Sequence, residues 1–285
     1  EKRGGGITSL ELYDMTNKID CYYQIFVRFN TIDSMGANFV NTCLEKITET
    51  FKFYIKEKNF LDENSEKIDF VMSILSNYTP NCLAKASVNC KVKDLEKSND
   101  LKDKKFVENI INAVSISKVD TFRAVTHNKG IMNGIDSVVI ATGNDFRSVE
   151  AGIHAYASRN GNYSGLTNAY IQDGNFHFDL TIPVSIGTIG GLTKLHPLVN
   201  WAHNLLGNPN SSKLMQIIAA VGLAQNFAAL KSLVTTGIQK GHMKMHLLNI
   251  LNQIGADQIQ KKEAIEYFKT NSITQKNVRE FINKK

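Results

Sequence analysis

Residues 20–31 alternate polar with apolar side chains and are rich in aromatic and β-branched types, the period-two pattern of a strand. A polar, glycine-bearing stretch, Asp33-Ser34-Met35-Gly36-Ala37-Asn38, comes next. Beyond it Phe39, Val40, Leu44, Ile47 and Phe51 recur at helical spacing. Asp33 or Ser34 is the natural N-cap of that helix. Residues 67–76 read as a second strand, and the charged run 56–67 as an exposed connection. Strand, helix, strand in that order predict a small α/β layer over residues 1–78.

A second region begins near Thr79. Phe106, Ile110, Ile111 and Val114 share one face of a helix over 106–116, and residues 138–141 (Val-Val-Ile-Ala) read as a short buried strand. A helix is expected over 150–159, and a hairpin over 170–184 turning at Asp173-Gly174. Asn210-Ser211 then cap a long helix reaching about Thr236. It is apolar nearly all round and so belongs inside a core. Gly237 and Gly241 punctuate the exit. From His242 onward two or three short amphipathic helices follow, the last capped by Thr274.

Composition narrows the class. With 285 residues, 42% hydrophobic and 21% charged, the chain is ordinary globular sequence rather than disordered. Its longest apolar stretch, 214–230, is interrupted by Gln216, Gln225 and Asn226, short of a clean membrane span. No basic segment followed by an apolar one opens the chain, so nothing points to a signal peptide. The first residue is Glu, and Arg3-Gly4-Gly5-Gly6 reads as text from within a domain, the expectation for a fragment or a processed product. Cys21, Cys43, Cys82 and Cys90 lack paired metal-ligand spacing, which leaves reduced thiols and a cytoplasmic setting as the expectation.

The net charge of +6 is unevenly spread. Between residues 140 and 230 there are only four acidic (Asp145, Glu150, Asp173, Asp179) and four basic residues (Arg147, Arg159, Lys194, Lys213). Such depletion marks a segment buried against itself or a second subunit. The basic tail interleaves Lys with Glu, the pattern of a solvated helix face rather than a nucleic-acid surface.

Several residues invite chemistry, each beside a plainer reading. Asp33-Ser34-Met35-Gly36 sits between strand and helix, where a glycine lets a pyrophosphate approach free N–H groups; an N-capped helix explains it equally well. Lys129, before the strand expected at 138–141, can hold an oxyanion in a charge-poor region or be a solvated loop lysine. Asp145, nearly alone in an apolar block, calls for a cation, with Lys129 the obvious partner. It also suits the N-cap of the helix starting near Arg147. Arg123 offers a bidentate fork for a carboxylate. Gln225 lines a pocket or is a satisfied core amide. His242 and His246 are spaced i, i+4 but have no intervening glutamate and no evident third ligand, so no metal site is expected. The remaining histidines read as structural.

Six strings carry a resemblance. They are Asp33–Asn38, Asn128-Lys129-Gly130-Ile131-Met132-Asn133-Gly134, Thr142-Gly143-Asn144-Asp145, Gly187-Thr188-Ile189-Gly190-Gly191, Val221-Gly222-Leu223-Ala224-Gln225-Asn226 and Gly237-Ile238-Gln239-Lys240-Gly241-His242-Met243. In that order they closely resemble 3-hydroxy-3-methylglutaryl-CoA (HMG-CoA) reductases of the soluble bacterial and archaeal branch, class II, from about residue 3 to the end. The resemblance implies an α+β protein in three parts: a small ferredoxin-like cofactor domain (1–78), a large mixed substrate domain around a central helix (79–237), and a helical C-terminal flap (238–285). It implies NADPH or NADH as cofactor, bound at Asp33, Ser34, Met35, Gly36 and Asn38. HMG-CoA, mevalonate and CoA would be held through Arg123, Asn133 and Gln225, and Lys129, Asp145 and His242 would be catalytic, His242 protonating the departing thiolate. A homodimer with its active site at the interface is implied too. The family's upstream catalytic glutamate finds no counterpart here, so a CoA-binding protein without turnover is the alternative reading.

Overall fold

In the computed structural model, β1 (Gly6–Asp14) and β2 (Tyr23–Asn30) form an antiparallel ribbon, followed by α1 (Ala37–Lys58). The structure describes residues 4–58, 68–97, 105–191, 195–235 and 237–283, with backbone alone over 238–245. β2 and α1 follow the alternating and helical patterns, β1 was not read from the sequence, and two local expectations fail. Asp33 and Ser34 do not cap α1: that helix opens at Gly36, whose carbonyl accepts from Val40 N at 2.7 Å. Nor is there a strand over 68–76. That segment is held to α1 by side chains instead: Leu75 N donates to Asn41 Oδ1 at 2.9 Å and Thr48 shares a 2.7 Å hydrogen bond with Ser73. Phe70 packs edge-on to Phe51 with ring centroids 5.8 Å apart. Its alternation reflects contact with a helix, not strand pairing. Described residues of the first 78 thus contribute two strands and one helix; Lys67 lies outside them.

Next come β3 (Leu83–Lys91), α2 (Val92–Lys97), α3 (Phe106–Val119), α4 (Thr121–Ala141) and α5 (Phe146–Ala157). The predicted strand at 138–141 is the last turn of α4. The helix starts at an Asp120 cap that accepts from Phe122 N at 2.9 Å, and its period then places Ile131, Ile135 and Val139 on one fully buried stripe. Packing of that stripe overrides the strand preference of a β-branched run. Thr142 closes the turn, its hydroxyl donating to Val138 O at 2.8 Å.

The hairpin of β4 (Thr167–Gln172) and β5 (Asn175–Pro183) forms as expected, and β3 pairs with β5 to give an antiparallel sheet of order β3-β5-β4. Its turn residues Asp173 (φ 51°) and Gly174 (φ 73°) both take the left-handed conformation that a tight two-residue hairpin needs. α6 (Pro197–Leu205) leads to α7 (Ser211–Val234), N-capped by Asn210, which accepts from Lys213 N at 2.9 Å. By length and composition α7 is apolar enough to cross a membrane. Here Leu214, Ile218, Ala219, Leu223 and Leu230 are instead buried in the main core against α4 and the sheet.

A separate cluster is built by α8 (Ile238–Gln253), α9 (Gln258–Tyr267) and α10 (Gln275–Asn283), around Leu247, Leu251, Phe268 and Val278. Asp257 opens α9 with a reciprocal capping box, and Thr274 Oγ1 accepts from Asn277 N at 3.1 Å at the start of α10. The expected mixture of helix and sheet holds throughout.

Candidate functional site

Three of the glycine-bearing stretches meet, although they are far apart in sequence. The Asp33 carbonyl accepts from Thr188 N at 2.8 Å and from Ile189 N at 3.1 Å, and Ser34 bridges Ile189. On the other side Gly187 N donates to Asn144 Oδ1 at 2.8 Å. Gly187 is needed for the fit: a Cβ there would lie 2.2 Å from Met35 N. The Thr142–Asp145 loop is also anchored from outside by His203 Nε2, 3.1 Å from Thr142 O; a carbonyl only accepts, so His203 donates. The 128–134 string lies on α4, whose C-terminus runs directly into Thr142.

Within the first stretch the Asp33 side chain accepts from Ser211 N at 2.8 Å, and Ser211 Oγ donates to Ile32 O at 2.8 Å. Asp33 therefore satisfies the first turn of α7, while Ser34, Met35 and Gly36 lead into α1. Gly36 has φ +75°, α1 carries no acid in its first turn, and Asn38 is exposed there. N–H groups without a partner among the described residues, at the start of a 22-residue helix with no acid in its first turn, suit an anion such as a pyrophosphate.

Lys129 is exposed in the middle of α4 rather than on a loop, and Asn133 follows one turn later on the same exposed side. Gln225 of α7 is exposed where the two helices touch: a Cβ added at Gly134 would sit 2.9 Å from Gln225 Cβ. Arg123 is half-buried on α4. With Asp120, Phe122, Thr126, His127 and Leu233 it helps line a cleft of about 460 Å³ between α4 and α7. Burial pulls its guanidinium below the usual arginine value, with Asp120 working against the shift.

Asp145 departs from expectation. Its side chain is 45% exposed and serves as the N-cap of α5, accepting from Arg147 N at 3.1 Å and Ser148 N at 3.3 Å. Its ion-pair partner among the described residues is Arg147, at 3.8 Å, not Lys129. An exposed, capped carboxylate needs no buried cation, so the charge-poor surroundings in sequence misstate its surroundings in space. His242 lies on α8 in the stretch described by backbone alone.

Two further features lie beyond the sequence reading: the bonding of His127, expected to be structural, with Asn128, and the raised carboxyl of Asp136. His127 and Asn128, immediately before Lys129, are fully buried polar residues. His127 Nε2 lies 2.7 Å from Thr167 Oγ1, Thr167 donates to Asn226 Oδ1 at 3.1 Å, and Asn226 Nδ2 donates back to His127 O at 3.3 Å. Asn128 donates to Ser164 O and accepts from Leu166 N, both at 3.0 Å. Burial, with Arg123 and Lys118 nearby, pushes the His127 pKa down to about 4. Asp136 of α4 faces Glu150 of α5. Burial first, then that neighbouring carboxylate, raises the Asp136 pKa to about 6. The available signal was polar residues at positions where the helical period demands apolar ones.

Comparison with known proteins agrees with the arrangement. The sequence model of the hydroxymethylglutaryl-coenzyme A reductase family matches residues 1–247. The chain is 38% identical over 254 residues to 3-hydroxy-3-methylglutaryl-coenzyme A reductase of Archaeoglobus fulgidus, covering 89% of this chain and 54% of that protein. It is 36% identical over 253 residues to the probable enzyme of Borreliella burgdorferi, covering 88% and 55%. It therefore spans about half the length of these curated relatives. Among solved structures, the class II reductase of Streptococcus pneumoniae bound to NADPH superposes with a TM-score of 0.72 at 36% identity, over 99% of this chain and 66% of that one. A second structure of the S. pneumoniae enzyme gives 0.73 at 35%, over 99% and 65%. With sequence, fold and the meeting of the glycine-bearing loops in agreement, the chain belongs to the hydroxymethylglutaryl-coenzyme A reductase family.

Proposed function

We propose that the protein containing this chain reduces HMG-CoA to mevalonate with NADPH or NADH and releases CoA, a four-electron conversion in two steps. The observation that carries this reading is the convergence of the Asp33–Gly36, Thr142–Asp145 and Gly187–Ile189 segments in a chain whose residues 1–247 match the reductase family. The nicotinamide supplies hydride when bound. Ser34, Gly36 and Asn38, with the N–H groups opening α1, hold its pyrophosphate, and Asp33 and Met35 shape that loop. Arg123 and Asn133 orient the substrate carboxylate and Gln225 borders the same face. Lys129 stabilises the oxyanion that develops on the thioester and then on the aldehyde. Asp145, held by two backbone N–H groups, supports proton movement at that centre, and His242 protonates the CoA thiolate as it leaves.

Residues 1–78 serve the cofactor, 79–237 the substrate, and 238–285 form a flap that carries His242. Two copies place their active sites at a shared interface. In support, Phe122 and Val119 beside the α4 cleft are 90% and 87% exposed, more apolar surface than a lone chain usually presents there.

The test uses the full-length protein with HMG-CoA and each reduced cofactor, following loss of nicotinamide absorbance and formation of mevalonate. Gly36→Val should weaken cofactor binding while HMG-CoA binding persists. His242→Gln should lower HMG-CoA reduction by about 10²–10⁴-fold and largely spare reduction of free mevaldehyde, because no thiolate leaves in that half-reaction. Absence of HMG-CoA-dependent cofactor oxidation in the intact protein would overturn the reading.

A further inference from the structure

Lys129 is the exposed member of a run whose two preceding residues, His127 and Asn128, are completely buried and polar. An apolar residue at either position would fill the same space, so the polarity asks for a reason. The hydrogen bonds supply it, and they also settle which ring nitrogen of His127 carries the proton. The His127 carbonyl only accepts, so the Asn226 atom 3.3 Å from it must be the amide nitrogen. Asn226 Oδ1 then faces Thr167, whose single hydroxyl proton is donated to it. Only lone pairs of Thr167 remain for the ring, so His127 donates from Nε2 and its Nδ1 is bare. Consistently, Nδ1 is buried without a hydrogen-bond partner among the described residues. Side chain and carbonyl of His127 are thus the two ends of one closed circuit, His127 to Thr167 to Asn226 and back, which ties α4 to β4 and α7.

Asn128 makes a second, independent attachment. It donates to Ser164 O and accepts from Leu166 N, using both ends of its amide on the segment that leads into β4. Successive helix positions are turned by about 100°. Two directional pegs at neighbouring positions therefore fix both the rotation of α4 about its axis and its slide along the sheet. Apolar contacts fix neither so closely, because they tolerate rotation and translation of a few tenths of an ångström. Lys129, about 200° round from His127, is aimed away from the wall by the same constraint. Gly130 completes the seat: a Cβ there would rest 3.7 Å from Ala229 and 3.9 Å from Asn226 Nδ2, so α4 already lies close on α7.

We infer that His127, Asn128, Thr167 and Asn226 are positioning residues: through two buried hydrogen-bonded attachments they set the rotation of α4, and so aim the Lys129 ammonium and the Arg123 guanidinium, which lies one turn before His127. This rests on the reading above that Lys129 holds the oxyanion. In this scheme the four act through Lys129 and Arg123, although His127 and Asn226 also border the cleft that Arg123 lines.

The test compares Thr167→Val, which keeps the shape and removes the hydroxyl, with Thr167→Ser, which keeps the hydroxyl, in the full-length protein alongside Lys129→Ala. Turnover is expressed per folded molecule, with circular dichroism and Tm measured on the same samples. A misplacement of a catalytic group approaching 1 Å costs up to about 10²-fold. Thr167→Val should therefore lower kcat by roughly 10-fold to 100-fold with KM for the cofactor unchanged. Thr167→Ser should return kcat to within about twofold of wild type, since both pegs are intact. A Thr167→Val protein with wild-type kcat per folded molecule, beside an inactive Lys129→Ala, would overturn the positioning role and leave the oxyanion reading standing. Equal loss in Thr167→Val and Thr167→Ser would overturn it too. An active Lys129→Ala would instead sink the oxyanion reading itself, and this inference with it. Independently of any variant's folding, ¹⁵N spectra of the wild-type His127 ring should show the proton on Nε2; a proton on Nδ1 would refute the circuit.

Discussion

Replacing Gly134 and Gly130 of α4 one at a time by alanine should change stability in opposite directions. Both glycines lie in the interior of the same helix, so both replacements recover the same helix propensity, about 1 kcal/mol. They differ in what the new methyl meets. At Gly134 a Cβ would lie 2.9 Å from Gln225 Cβ, 2.9 Å from Val221 O and 3.2 Å from Val221 Cγ1. Carbon contacts are comfortable at about 3.5–4.0 Å. The deficit is therefore about 0.6 Å against Gln225 Cβ, and the equally close Val221 carbonyl oxygen yields only if α7 moves. Overpacking of this kind costs about 1–3 kcal/mol, and α7 runs through the core, so the upper part of that range applies. After the propensity gain, Gly134→Ala should lose about 1–2 kcal/mol. At Gly130 the nearest atoms are Ala229 Cβ at 3.7 Å and Asn226 Nδ2 at 3.9 Å, ordinary contacts, so the gain of about 1 kcal/mol should survive. The two variants should differ by about 2–3 kcal/mol. Urea titrations followed by circular dichroism read the difference as a change in midpoint at constant slope. Stabilisation by both variants to the same degree would show that α4 and α7 do not meet at Gly134 as closely as described.

The low His127 pKa, about 4 against 6.5 unfolded, means that the unfolded chain binds the extra proton first. Its contribution is full above pH 6.5 and falls by about 3 kcal/mol as pH drops to 4. Asp136 acts oppositely: with its pKa raised to about 6, the native state holds the proton, and stability declines as pH rises from about 3.8 to 6. Tm against pH should therefore be shallow in the wild type between pH 4 and 6.5. Asp136→Asn should steepen the acid-side fall and raise Tm at pH 7.5; an unchanged Tm there would argue against a strained carboxylate facing Glu150. Asp257→Ala should cost about 1 kcal/mol by removing the capping box of α9. Amide exchange should rise across 247–283 while the core around α4 and α7 keeps its protection, and equal loss in both regions would contradict two separate clusters.

Where structure depends on chemistry within a few residues, the sequence alone was enough. Asn210 announces α7, Thr274 announces α10, and Asp173-Gly174 place the hairpin turn, because a cap or a left-handed turn is satisfied by atoms a few positions away. The six motif strings likewise revealed the family. Sequence did not reveal what those segments touch. Asp33 looks like the cap of the helix that follows it, yet its carboxylate serves Ser211, 178 residues later. Residues 138–141 and 68–76 both carry strand patterns; buried neighbours keep the first helical, and Asn41 and Thr48 hold the second along α1. Asp145 seemed buried because its sequence neighbourhood is poor in charge, but a carboxylate responds to the atoms around it in space, and these are solvent, two backbone N–H groups and the Arg147 guanidinium. For His127 and Asn128 the polar letters were visible from the start. Only the tertiary structure turns them into attachments, because their partners, Ser164, Leu166, Thr167 and Asn226, reach α4 through long-range packing that no local pattern encodes.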